Sequence, residues 1–199
     1  MTTVSIIGSA RKIDIPIDVK AIDVYTAMCN VAYNIITKTF KLSIDEVQLV
    51  SGGAAWSDHI VVTLFNKYEF KSGTLYLPCK FIQLSNGRYQ YEDTGEHNWR
   101  VNPGKVSNYY HSKFKQATGI DSLNEIGQLS NNSNFKLDTS SFGFHNRNTD
   151  VAKSQYMIAF SMASGLEPND GGTLDTWKKS TSIKKIHIAI PEIIKNLKV

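Results

Sequence analysis

Short apolar runs followed by glycine turns and then by helical patterns constrain this chain more than any other feature. Val4 to Gly8 reads VSIIG, Val47 to Val50 reads VQLV before SGGAAWSD, and Tyr156 to Ser161 reads YMIAFS ahead of DGGTLDTWKK. A continuous apolar run lacks the alternation of a half-exposed strand and suits one buried on both faces, as in a parallel sheet. After the first run, Ile22, Tyr25, Ala27, Met28, Val31, Ala32, Ile35 and Ile36 recur at helical spacing between about Asp18 and Phe40. A second helix is expected from about Asp58 to Asn66, a third strand from Thr74 to Leu77, and a last strand from Lys185 to Ile190 before Pro191.

The expected fold class is therefore α/β, a single Rossmann-like domain with a mostly parallel sheet and helices on both faces. The polar, aromatic-rich stretch 83–105, with Tyr89, Tyr91, His97, Trp99 and Arg100, is too long for a simple connection and reads as an insertion or lid. Two short helices separated by Gly119 are expected between Val106 and Ser130, and another around Arg147 to Ser154. No internal repeat or domain boundary interrupts residues 1–199.

Composition agrees with an ordinary globular chain: 199 residues, 41% hydrophobic and 20% charged. Roughly 70% of the unfolded chain's surface is buried on folding at this size, so no metal or disulfide staple is required. Cys29 and Cys79 read as small apolar residues. The segment MTTVSIIGSARK has no basic leader ahead of a long apolar stretch, and no run of about 18 apolar residues occurs. Secretion and membrane spanning are thus disfavoured, and a cytoplasmic protein is expected. Residues 1–170 carry sixteen basic and sixteen acidic side chains, so the net charge of +4 arises wholly beyond them. The lysines there, Lys178, Lys179, Lys184, Lys185, Lys195 and Lys198, lack interleaved arginine, which argues against a nucleic-acid footprint and for local attraction of a small anion.

The glycine turns carry the chemistry. Gly52 and Gly53 either let a phosphate approach main-chain N–H groups at a helix N-terminus or form a tight turn with Asp58 as helix cap. Gly171, Gly172 and Thr173 repeat the pattern, with Thr173 or Asp175 as cap, and Gly8 with Ser9 supplies a third candidate cradle. Trp56 and Trp177 either stack on a base or pack onto the sheet. In FGFHNRN, Arg147 suits a phosphate and His145 a ribose, the alternative being an ion pair between Arg147 and Asp150. Asp170 either meets sugar hydroxyls or ends a turn. The scattered histidines His59, His97, His111, His145 and His187 lack metal-ligand spacing, so no metal and no cofactor are expected.

Taken together, SGGAAWSD, the pair Arg147 and Asn148, the strand YMIAFS and DGGTLDTWKK resemble the SLOG superfamily of Rossmann-like nucleotide-binding domains, over most of the chain except 83–105. That superfamily includes the LOG phosphoribohydrolases, the DNA-processing protein DprA and YspA-like proteins. The resemblance implies that Gly8, Ser9, Gly52, Gly53, Trp56, His145, Arg147, Asn148, Gly171, Gly172 and Thr173 face a nucleotide-derived ligand. Self-association as a dimer or tetramer is implied on the same ground. LOG enzymes carry PGGxGTxxE, and counting along GGTLDTWK places Lys178 where their glutamate stands. A lysine repels an oxocarbenium-like centre. The expectation is accordingly non-catalytic binding of an ADP-ribose-type or cyclic nucleotide signal, in the manner of a viral protein that sequesters an immune signal in the host cytoplasm. The alternative is a nucleotide N-glycosidase with Asp58 or Asp175 as acid or nucleophile.

Overall fold

A computed structural model describes residues 1–10, 13–169 and 171–198. Strand β1 (Thr2–Gly8) runs through the middle of the molecule, where Val4, Ser5, Ile6 and Ile7 are all buried. Burial on both faces is why the strand is apolar without alternation. Helix α1 (Ala21–Asn34) follows and widens into a π-helical segment, Ile35–Thr39, whose end is marked by the Phe40 N–H donating to the Ile35 carbonyl five residues back. Then come β2 (Val47–Ser51), α2 (Ile60–Lys67) and β3 (Ser72–Tyr76).

An antiparallel hairpin of β4 (Phe81–Gln83) and β5 (Tyr89–Tyr91) precedes α3 (Pro103–Thr118) and α4 (Ser122–Gln128). The stretch expected as an insertion therefore contains real elements, and α3 begins inside it. Asn102 caps α3 by accepting from the Lys105 N–H, and Pro103 occupies the first turn, where a missing N–H is harmless. The remaining elements are β6 (Phe135–Asp138), α5 (Phe144–Val151), β7 (Tyr156–Ser161), α6 (Gly171–Lys179), β8 (Lys184–Ala189) and α7 (Ile190–Asn196). Helix α7 was not expected, because Pro191 reads as a terminator; it lies in the first turn of the helix, where proline starts rather than breaks.

The sheet is six-stranded and wholly parallel, in the order β6-β3-β2-β1-β7-β8. Its two faces are covered unequally. Val4, Ile6, Ile158 and Phe160 point into a large core shared with α1, α2, α3 and α7, whereas Ile7, Met157 and Ala159 meet Val151 and Trp177 of α5 and α6. Successive residues of one strand alternate between these cores, as the pleat demands. Each fully buried aliphatic side chain contributes roughly 1.5–3 kcal/mol. The expectation of one Rossmann-like α/β domain is met. No described helix is long and apolar enough to cross a membrane.

The chain order reverses between β1 and β7, since β1 continues to β2 on one side and meets β7 on the other. In open parallel sheets the loops on either side of such a point diverge and leave a crevice at the carboxyl ends of the strands.

Candidate functional site

A cavity of about 420 Å³ occupies that crevice. Its floor is made by Gly8 and Ser9 after β1 and by Gly52, Ala54 and Asp58 after β2, with Arg147 reaching in from α5. Ser107 and Tyr110 of α3 and the aromatic rings of Trp99 and Phe144 form one wall. Gly171, Gly172 and Thr173, at the N-terminus of α6, also line it, with His145 and Asn148.

The three glycine turns expected to cradle an anion differ sharply in what their backbones already do. At Gly52 the anion is supplied by the protein. The Asp58 Oδ2 accepts the N–H groups of Gly52 at 3.1 Å and Ala54 at 3.2 Å, and Ser51 Oγ accepts the N–H of Gly53 at 3.4 Å. Asp58 thus caps neither α2 nor a ligand: its carboxylate folds back into the turn, and His59 holds the cap position without a side-chain bond. At Gly8 the following Ser9 N–H donates to the Phe160 carbonyl at 3.0 Å, and a Cβ on Gly8 would lie 2.2 Å from that oxygen. Gly8 is glycine because β7 and Ser57 leave no room.

Among the described residues, the third turn is open. The first N–H groups of a helix have no partner within it, and among the described residues no side chain accepts from those of Gly171, Gly172 or Thr173. Among the described residues, a Cβ on Gly172 would meet nothing closer than Asn148 Nδ2 at 3.6 Å, and one on Gly171 (φ 62°) nothing within 4 Å. Asn148 braces this turn from below, donating to the Gly172 carbonyl at 3.5 Å and to Asp175 at 3.1 Å. Asp170 lies outside the described residues.

Arg147 pairs with neither a free phosphate position nor Asp150. Its Nη1 meets Asp58 Oδ2 at 3.1 Å, while Asp150 bonds Ser141 and Lys153. The guanidinium fills the space a Gly52 side chain would need and lies 5.5 Å from the centre of the Phe144 ring. Arg147 is 9% exposed and Asp58 4%. Burial raises the Asp58 carboxyl above the usual carboxylate range, and the Arg147 charge and the two main-chain N–H groups act against that rise.

Several expected site residues stand elsewhere. Gly53 (φ 69°) turns its carbonyl away from the cavity, where Tyr91 Oη and His111 Nε2 donate to it, so it anchors the hairpin and α3 rather than a ligand. A carbonyl only accepts, so Nε2 carries the proton and Nδ1 accepts from Ser122 Oγ at 2.7 Å. Trp56 adopts φ 62° and directs its ring against Tyr25 and Phe114 in the larger core. Trp177 packs on the other face of the sheet. Asp175 is held by Lys179, Asn148 and His145 and does not line the cavity; those donors keep its carboxyl low although burial opposes them. Lys178 is exposed and also outside it. Neighbouring lysines make local contacts: Lys185 lies over Trp177, Lys184 over Phe40, and Lys198 bonds Asp18.

Sequence reasoning did not nominate Trp99, Phe144, Ser107 or Tyr110 as lining residues. For Trp99 a signal existed. A tryptophan in a polar stretch with no apolar periodicity has no core position to explain it, and here it sits 6.0 Å from Phe144 and His145, with Arg100 stacked on it at 4.7 Å.

No family model matches this chain, and no solved structure matches it. Among curated proteins, it is similar to "Uncharacterized protein R261" of Acanthamoeba polyphaga mimivirus, 37% identical over 145 residues that cover 72% of this chain and 71% of the relative.

Proposed function

The chain belongs to the family of that mimivirus protein, and on this premise we propose that it binds a nucleotide-derived small molecule without cleaving it. The observation that carries the reading is the cavity itself, which is lined both by Gly171 to Thr173, whose N–H groups meet no side-chain acceptor among the described residues, and by the rings of Trp99 and Phe144. An anion gains from the former through the helix dipole, and a nucleobase from the latter through stacking. A volume of about 420 Å³ falls in the usual range for small-molecule sites. The order of glycine motifs shared with SLOG domains supports the same ligand class. So does the viral source of the relative, which fits a protein that withdraws a host nucleotide signal.

The carboxylates speak for binding over chemistry. Asp175 is outside the cavity, and Asp58 is paired through Oδ2 with the Arg147 guanidinium, which favours a carboxylate that stays ionised over one that gives up a proton. The experiment is to incubate the protein with nucleoside monophosphates, NAD, ADP-ribose and cyclic ADP-ribose isomers, denature it, and identify the retained compound by mass spectrometry. One intact compound is expected. Trp99→Ala should weaken its affinity by about 1–3 kcal/mol, the range for a base stacked on an aromatic ring, with no change in melting temperature. Retention of nothing overturns the reading.

One observation favours a second reading, a nucleotide N-glycosidase: Asp58 sits at the cavity floor with its carboxyl raised by burial, as suits a general acid. Free base in the recovered material, abolished in Asp58→Asn, would establish it.

A further inference from the structure

Resting on that binding reading, we infer that the floor of the cavity recognises a pair of neighbouring hydroxyl groups on the ligand, as on a ribose ring, and does not hold its phosphate. All three bonds to the Asp58 carboxylate fall on Oδ2, from Gly52, Ala54 and Arg147, and Oδ1 has no partner among the described residues. Arg147 is used as sparingly. It donates through Nη1 alone, and its Nε is buried with no acceptor. Nε is sealed from the cavity, and Nη2, which has no bond among the described residues and is not sealed, is the donor left for a ligand oxygen.

The pair therefore offers one spare acceptor beside spare donors, with no net charge between them. A phosphate brings only acceptor oxygens at neutral pH and would face Asp58 Oδ1 in repulsion. A hydroxyl group both donates and accepts, so it bonds Asp58 and the guanidinium at once, and a vicinal diol serves both residues more fully. Gly52 belongs to the same device. A Cβ there would lie 1.4 Å from Arg147 Nη1, so the missing side chain is what brings guanidinium and carboxylate to the floor.

The test compares AMP, 2′-deoxy-AMP and 2′,3′-dideoxy-AMP by titration calorimetry against the full chain. AMP should bind about tenfold or more tightly than the dideoxy compound, with 2′-deoxy-AMP between them. In Asp58→Asn, checked for folding by circular dichroism, the preference should shrink toward unity. The ligand series in the unaltered protein decides the matter even if that variant does not fold. Equal binding of AMP and its dideoxy form, or binding of another phosphate compound while AMP is ignored, overturns the hydroxyl-reading floor and leaves the binding function standing. Binding of no phosphate compound overturns both.

Discussion

At Gly52 and Gly53 the chain closes on its own atoms, whereas at Gly171 and Gly172 an equivalent stretch stays open to the cavity. Both pairs lie between a parallel strand and a helix. At the first, an internal carboxylate takes the N–H groups, a guanidinium fills the space above the glycine, and Tyr91 and His111 hold the carbonyl. At the second, the nearest atom of the described residues to an added Cβ on Gly172 is 3.6 Å away. The same residue type serves internal packing at one strand end and ligand approach at the other. What separates them is whether the turn carries its own anion, Asp58, held in place by a guanidinium from 89 positions away.

This contrast breaks most visibly at Gly52. Gly52→Ala should drive Arg147 from Asp58, and disrupting a buried ion pair costs about 3–5 kcal/mol, read as a loss in the urea unfolding midpoint. An unchanged midpoint would mean that the guanidinium has another place to go.

Acid should loosen the closed turn next. Burial first, then the neighbouring His59, pushes the His111 imidazole down to about 3. The unfolded chain binds this proton near pH 6.5 and the native one does not, so the stability linked to His111 is full above pH 6.5. It is lost as the pH falls from there toward 3, by about 1.4 kcal/mol per unit. Between pH 7 and pH 5 the loss should be about 2 kcal/mol, and His111→Gln should flatten that slope. A slope equally steep in the variant would assign the effect to other groups.

The smallest effect is expected at the open turn. Gly172→Ala has room for its methyl group, so stability should change by less than about 0.5 kcal/mol. Retention of the compound found by mass spectrometry should fall instead, because the methyl group narrows the approach to the α6 N-terminus. A Gly172→Ala variant as unstable as Gly52→Ala would erase the distinction between the two turns.

Much of the fold was legible from local pattern. VSIIG, VQLV and YMIAFS became β1, β2 and β7 because strands buried on both faces must be apolar throughout, and that signal needs no partner to be read. Helix α7 was not legible, since Pro191 has the same local appearance whether it ends a strand or starts a helix. The hairpin of β4 and β5 was hidden by its polar, aromatic composition; the buried Tyr91 hydroxyl finds its acceptor in the distant Gly53 carbonyl.

The candidate site divides along the same line. Sequence alone determined the glycine turns, their place at strand ends and the nearness of His145, Arg147 and Asn148, because these depend on neighbours along the chain. Tertiary structure alone decided that Arg147 reaches Asp58, 89 positions away, rather than Asp150, and that Trp56 faces the core while Trp99 faces the cavity. The physical reason is that a buried charge must find its counter-ion wherever packing places one, and the order of the sheet, which brings β1 between β2 and β7, set that place.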